Sequence, residues 1–207
     1  KLAVFMTLFI QAFRMGAEPF FFNHSDKANA KETYATILKY FTIVGTLGLI
    51  IVTVYIDVLR PIFIKKESYL LALDIVPIVL LANLCLGIYH NLSIWYKLTD
   101  KTRYGMYISL VGAAITIGFN ITFIPKLGFM ACAYATLLAY GLMMLISLGL
   151  GRKYYPVPYD FKRITMYLLC GTLISFLSYY QFDRDILIGT VFLCAFVIAV
   201  VLLEKKD

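Results

Sequence analysis

Seven stretches of the chain run almost without charge, near residues 2–22, 35–56, 68–96, 104–124, 128–149, 164–180 and 186–203. The longest uncharged run, Leu127 to Gly151, holds 25 residues, and Ile186 to Leu203 holds 18. At about 1.5 Å per helical residue, roughly 20 residues cross the hydrocarbon core of a bilayer. Apolar side chains surround each stretch instead of marking one stripe or alternating every second residue. The pattern therefore predicts membrane-spanning helices, not surface helices or barrel strands. The expected fold class is an all-α membrane protein with about seven transmembrane helices.

Composition agrees with the pattern. The 207 residues are 61% apolar and 15% charged, with a mean hydropathy of +0.82, whereas a soluble domain is about half apolar and a quarter charged. That balance excludes a secreted disulfide domain, a nucleic-acid-binding module and a cytosolic enzyme. Connections run from about three residues (Pro125–Leu127) to about fourteen (Leu150–Arg163), too short for a folded extramembrane domain. Tyr154-Tyr155-Pro156-Val157-Pro158-Tyr159 reads as a stiff interfacial linker, because its prolines forbid a continuing helix. Cys85, Cys132, Cys170 and Cys194 lie in apolar runs with no metal-ligand spacing, as small buried hydrophobes do. Lys1 opens directly onto an apolar run, so the chain is expected to be a piece of a longer polypeptide.

Charge sets the expected orientation. If seven spans alternate, twelve of the lysines and arginines fall on one side and six on the other. Positive charge collects on the cytoplasmic face, which predicts a multi-pass protein with a cytoplasmic C-terminus. The same bias accounts for most of the +7 net charge without a nucleic-acid partner.

Between apolar helices, small residues and hydrogen bonds drive packing. Ala131, Ala135 and Ala139 form a four-residue stripe on the fifth span; Gly112, Thr116 and Asn120 do so on the fourth. The two neighbours are expected to form a close antiparallel hairpin with both stripes turned inward.

Polar residues inside spans carry the functional signal, because a charge at the bilayer centre costs about 2.5–3.5 kcal/mol on insertion scales. Arg14 and Glu18 stand one helical turn apart and can pair. They read either as an ion pair facing the bundle or as the lining of a wet cavity. Gly16 and Pro19 beside them are hinge or kink candidates. Asp74 lies near the external end of the third span, with Pro77 as a second kink candidate. Asn83, His90 and Asn91 lie lower on that helix, Asn83 and His90 on one face. Each suits an interhelical hydrogen bond or a substrate contact, and Lys39 is expected to snorkel.

Other signals fail in context. Asp183-Arg184-Asp185 sits in a short turn, and the sequons at Asn91 and Asn120 lie in or at the edge of spans. No phosphate-binding loop, zinc-protease or serine-hydrolase motif is present, and the two histidines stand apart. The residues suggest no enzyme, no catalytic site, no metal site and no cofactor.

Phe13-Arg14-Met15-Gly16-Ala17-Glu18-Pro19-Phe20 resembles the eighth helix of bacterial polysaccharide flippases, part of the multidrug/oligosaccharidyl-lipid/polysaccharide exporter superfamily. Gly87 through Thr102 is similar to their tenth helix and the loop after it. Asn120, Ile124-Pro125, Gly128 and Ala133-Tyr134-Ala135-Thr136 resemble their helix 11–12 pattern. The resemblance covers the whole chain as helices eight to fourteen, most of the C-terminal lobe of a MATE-like fold with the N-terminal lobe absent. It implies transfer of a polyprenyl-diphosphate-linked oligosaccharide across the bacterial cytoplasmic membrane for O-antigen, capsule or exopolysaccharide synthesis. Arg14 would meet the diphosphate, Glu18 would hold Arg14 or respond to a coupling ion, and Asp74, Asn83, His90 and Asn91 would add polar contacts. Implied partners are membrane lipid, the lipid-linked oligosaccharide and polysaccharide-assembly proteins such as a polymerase, with coupling to a proton or sodium gradient. A cation-coupled drug exporter of the same superfamily is the nearest rival. A polytopic enzyme acting on lipid-linked sugars, or a structural subunit of a larger membrane complex, stands further off.

Overall fold

Long uncharged runs leave the backbone no better solution in lipid than to satisfy itself, residue by residue, in a helix. The structure, a computed structural model, describes residues 3–63 and 73–205. Among them the order is α1 (Val4–His24), α2 (Ala30–Val54), α3 (Ile56–Phe63), α4 (Val76–Leu92), α5 (Ile94–Leu98), α6 (Arg103–Leu127), α7 (Phe129–Tyr154), α8 (Phe161–Phe176) and α9 (Ile186–Glu204), with no strand. Five helical segments are long and apolar enough to cross a membrane: Ala30–Val54, Leu73–Leu98, Arg103–Leu127, Phe129–Tyr154 and Ile186–Glu204. These five point to a membrane protein. Of the other expected spans, α1 has the length but carries Gln11, Arg14 and Glu18. Helix α8 stops after 16 residues and continues as one π-helical turn, Leu177–Gln181.

Boundaries differ from the apolar runs where polar residues extend or interrupt a helix. Helix α2 starts at Ala30, because Lys31 and Glu32 are good helix formers even though they are not apolar. The run expected near 68–96 is a short turn at 73–75 followed by α4 and α5; positions 68–72 lie outside the described residues. The break falls at Ser93, whose hydroxyl donates to the His90 carbonyl at 2.6 Å. No loop occupies Pro125–Leu127: α6 runs through Pro125, and the chain reverses at Gly128 alone, at φ +57°. That left-handed backbone suits glycine because a Cβ would clash with the neighbouring carbonyl. Helix α7 continues past Gly149 to Tyr154, so the linker shrinks to residues 155–160. Val157 of that linker is buried, and burial pushes the Tyr159 phenol above its ordinary range.

Helix α2 is the central post, packing on α1, α4, α8 and α9, while α7 packs on both α4 and α6. The main core joins Met6 and Ile10 of α1, Leu38, Phe41 and Leu49 of α2, and Leu80, Leu84 and Ile88 of α4. Close approach needs small residues where helices meet. A Cβ at Gly171 of α8 would collide with the Thr46 methyl of α2, and one at Gly112 of α6 would strike Met143 of α7. Ala131, Ala135 and Ala139 are all buried on α7, whereas Thr116 and Asn120 are only partly covered. Asp160 caps α8 by accepting from the Arg163 N–H (3.1 Å), and Asp185 caps α9 by accepting from the Leu187 and Ile188 N–H groups.

The helices run antiparallel in sequence, so the C-terminal ends of α1, α4, α7 and α9 share one end of the bundle with the start of α2, α6 and α8. Most of the cations lie there, and it is called the basic end below.

Candidate functional site

Near the basic end, α1, α4 and α5 meet around a small group of polar side chains. Arg14 Nε lies 3.7 Å from Glu18 Oε1, one turn along α1. Lys97 Nζ of α5 donates to the same carboxylate oxygen at 2.7 Å. Glu18 thus holds two cations and ties α1 to α5, and the group keeps one net positive charge. Arg14, Glu18, His90 and Asn91 line one crevice, walled on its apolar side by Ile10, Phe13 and Phe21. It encloses about 10 Å³, on the order of one water molecule.

Asn91 gives the crevice its polar floor. The side chain is 5% exposed, and its Nδ2 donates to the Gly87 carbonyl at 3.0 Å on the same helix. Its Oδ1 is buried and accepts from no donor among the described residues. A buried acceptor left without a donor costs about 1–3 kcal/mol, so the geometry favours a hydroxyl or a water at that point.

The Arg14 side chain is 47% exposed, at the rim of the crevice. The expected wet cavity is therefore a shallow crevice here, and a vestibule of glycan size would need a further wall against α1. Gly16, about 200° further round α1, has nothing near its missing Cβ among the described residues. Pro19 lies inside an unbroken α1, where it removes the hydrogen bond to the Met15 carbonyl. Pro77 differs from the kink expected of it: it stands in the first turn of α4, where its absent N–H costs no helical bond.

The remaining residues divide between this group and other parts of the bundle. Asn83 Nδ2 reaches the Ala3 carbonyl and Thr7 Oγ1 of α1, each at 3.4 Å, so it bonds across helices one level above His90. Asp74 belongs elsewhere. Sixteen residues before His90, about 24 Å along a helix, its carboxylate accepts from Tyr179 Oη (3.0 Å) and its carbonyl from Tyr180 Oη (2.7 Å). Those bonds fasten α4 to the π-helical turn at the opposite end. Among the described residues no group of His, Cys, Asp and Glu side chains could hold a metal ion.

Two relationships escaped sequence reasoning. Lys97 extends the seven-residue series Asn83–His90, and that spacing was the available signal for its place beside Glu18. Lys39 does not merely snorkel: its Nζ donates to Glu204 Oε2, the last residue of α9, and Tyr167 Oη donates to Oε1 at 2.8 Å. Nothing local marks a partner 165 positions away.

Set against family models, curated proteins and solved structures, the chain matches none of them.

Proposed function

We propose that this chain is the second lobe of a membrane flippase that carries a polyprenyl-diphosphate-linked oligosaccharide across the bacterial cytoplasmic membrane. In this reading α1, the Leu177–Gln181 extension of α8 and the five long apolar segments make seven spans in a MATE-like arrangement. A glycan cannot enter hydrocarbon without losing its hydrogen bonds, while its lipid tail remains in the bilayer. The transporter must supply a polar path, opened to each side in turn by two lobes rocking about it.

The observation that carries the reading is a crevice lined by both Arg14 and Asn91, whose buried Oδ1 has no donor among the described residues. The guanidinium offers a planar fork of donors to a diphosphate, and the amide oxygen accepts from a sugar hydroxyl. Lys97 and Glu18 hold Arg14 in register without neutralising the site. The exposed face of α1, with Ala12, Met15 and Gly16, is the side on which a second lobe would complete the vestibule begun at Arg14. Drug export by the same architecture remains the rival, with Glu18 as its cation site; the two cations already on that carboxylate argue against it.

The deciding experiment deletes the parent gene and follows lipid-linked oligosaccharide. Accumulation on the cytoplasmic leaflet, relieved by the intact gene and not by its Arg14→Ala form, supports the reading. Normal surface glycan in the deletion strain, or full rescue by Arg14→Ala, defeats it.

A further inference from the structure

A second polar group lies on the basic end, between the start of α6 and the end of α7. Residues 95–105 and 149–159 hold five cations and one carboxylate, Asp100. Lys97 of that set is paired with Glu18. The Lys101 ammonium sits 3.9 Å from the centroid of the Tyr154 ring, and the Lys153 ammonium 5.6 Å from the same centroid. Two like charges are thus held on one ring, within about a Debye length of each other.

The group is built rigidly. Tyr154 stacks on Trp95 with centroids 5.6 Å apart and planes 14° from parallel. Trp95 is 2% exposed and donates from Nε1 to Ser147 Oγ at 3.2 Å. The backbone N–H of Lys101 donates to the Tyr96 carbonyl at 2.8 Å, which fixes the 99–102 turn. Tyr104 and Tyr154 share a hydroxyl–hydroxyl bond of 2.8 Å. That bond uses one of the two phenolic protons and leaves the other without an acceptor among the described residues.

We propose that this group binds the phosphate of an anionic phospholipid. Lys101 and Lys153 supply the charge, the free phenolic proton supplies a directed hydrogen bond, and exposed Arg103 and Arg152 flank them. The residues close the ends of two helices that are long and apolar enough to cross a membrane. Tryptophan and tyrosine gather at the depth of the headgroups, and basic pockets between membrane helices favour anionic headgroups. The acyl chains would lie along the exposed apolar side of α6, where Met106, Tyr107, Leu110 and Val111 lack a helical neighbour's cover. This inference does not depend on what the protein transports.

Native mass spectrometry of the delipidated protein in detergent, titrated with phosphatidylglycerol and separately with phosphatidylcholine, tests it. The expected result is a phosphatidylglycerol adduct retained well beyond phosphatidylcholine. Each lysine is worth roughly fivefold, so Lys101→Gln/Lys153→Gln should weaken retention about thirtyfold, while Lys101→Arg/Lys153→Arg keeps it. Lys27→Gln/Lys162→Gln, at the same end of the bundle, should leave it unchanged. Equal retention of both lipids, equal loss in the Lys27/Lys162 pair, or displacement of phosphatidylglycerol by inorganic phosphate would each overturn the proposal.

Discussion

Lys39 and Glu204 meet across 165 positions of sequence, the ammonium of the second helix donating to the carboxylate that ends the ninth. Both side chains are largely covered, at 16% and 14% exposure, and Tyr167 adds a second donor to the same carboxylate. The three residues bind α2, α8 and α9 at one point near the basic end. Arg163 Nη1 stands 3.6 Å from the same carboxylate, so removing Glu204 takes a partner from two cations at once.

Glu204→Gln is expected to lower stability by about 2 kcal/mol, the scale of a hydrogen bond to a charged group. Thermal unfolding in detergent would read this as a lower midpoint. Lys39→Met in the Glu204→Gln background should recover most of the loss, because the ammonium is then gone while Arg163 keeps Asp160. A double variant as unstable as the sum of its parts would mean that the two side chains do not interact.

Two glycines separate the contacts within this chain from contacts made by something else. Gly171→Leu should destabilise strongly, since even a Cβ would collide with Thr46 and α2 cannot retreat from its other neighbours. Gly16→Leu meets nothing in the described residues and should leave the fold intact. Loss of transport without loss of folding in Gly16→Leu would show that a further surface lies against α1. Full activity would show that this face stays open.

Arg14 tests the proposed vestibule directly. With the native cysteines replaced by alanine, Arg14→Cys should react with a charged, membrane-impermeant thiol reagent when the intact protein is in its membrane. Ala12, on the outer side of α1, offers the matching control position. If Arg14→Cys is silent to the aqueous reagent but quenched by spin-labelled acyl chains, the side chain faces lipid and the transport reading falls.

Asn91→Leu separates folding from function at the crevice floor. The substitution removes one bond within α4, to the Gly87 carbonyl, together with an acceptor that has no partner. Stability should fall by no more than about 1 kcal/mol, while the glycan export proposed above should drop several-fold. An unfolded variant would make Asn91 a structural residue, and unchanged export would remove it from the substrate path.

Ala135 is fully buried on α7. Ala135→Leu should cost about 1–3 kcal/mol by overpacking, measured by the fraction of protein recovered folded from membranes. A variant as stable as the parent would mean that the alanine stripe does not set the helix spacing.

The helices were legible because uninterrupted apolar runs have one solution in lipid, and α6, α7 and α9 follow their runs to within a few residues at most ends. Boundaries were harder wherever polar residues continue a helix, as Lys31 and Glu32 do for α2, or a hydroxyl ends one, as Ser93 does after α4. Pro125 and Pro77 misled for one reason: the cost of a proline depends on its position in the helix, which composition does not reveal. At the site, Arg14 and Glu18 were readable because their partner is one turn away. Lys97 and Glu204 were not, since each finds its partner only when distant helices are brought together. Asp74 stood out as an intramembrane acid, yet the tyrosines that receive it lie more than a hundred positions later.

The reversal at Gly128 has a bearing on biosynthesis. Helices α6 and α7 are joined by a single residue, so the pair can close as a hairpin as soon as Tyr154 has left the ribosome. Helix α6 depends chiefly on α7 for its neighbours, and the pair can therefore enter the bilayer as one unit. Helix α2, waiting for Lys39 to find its counterpart, is secured only once α9 has been made.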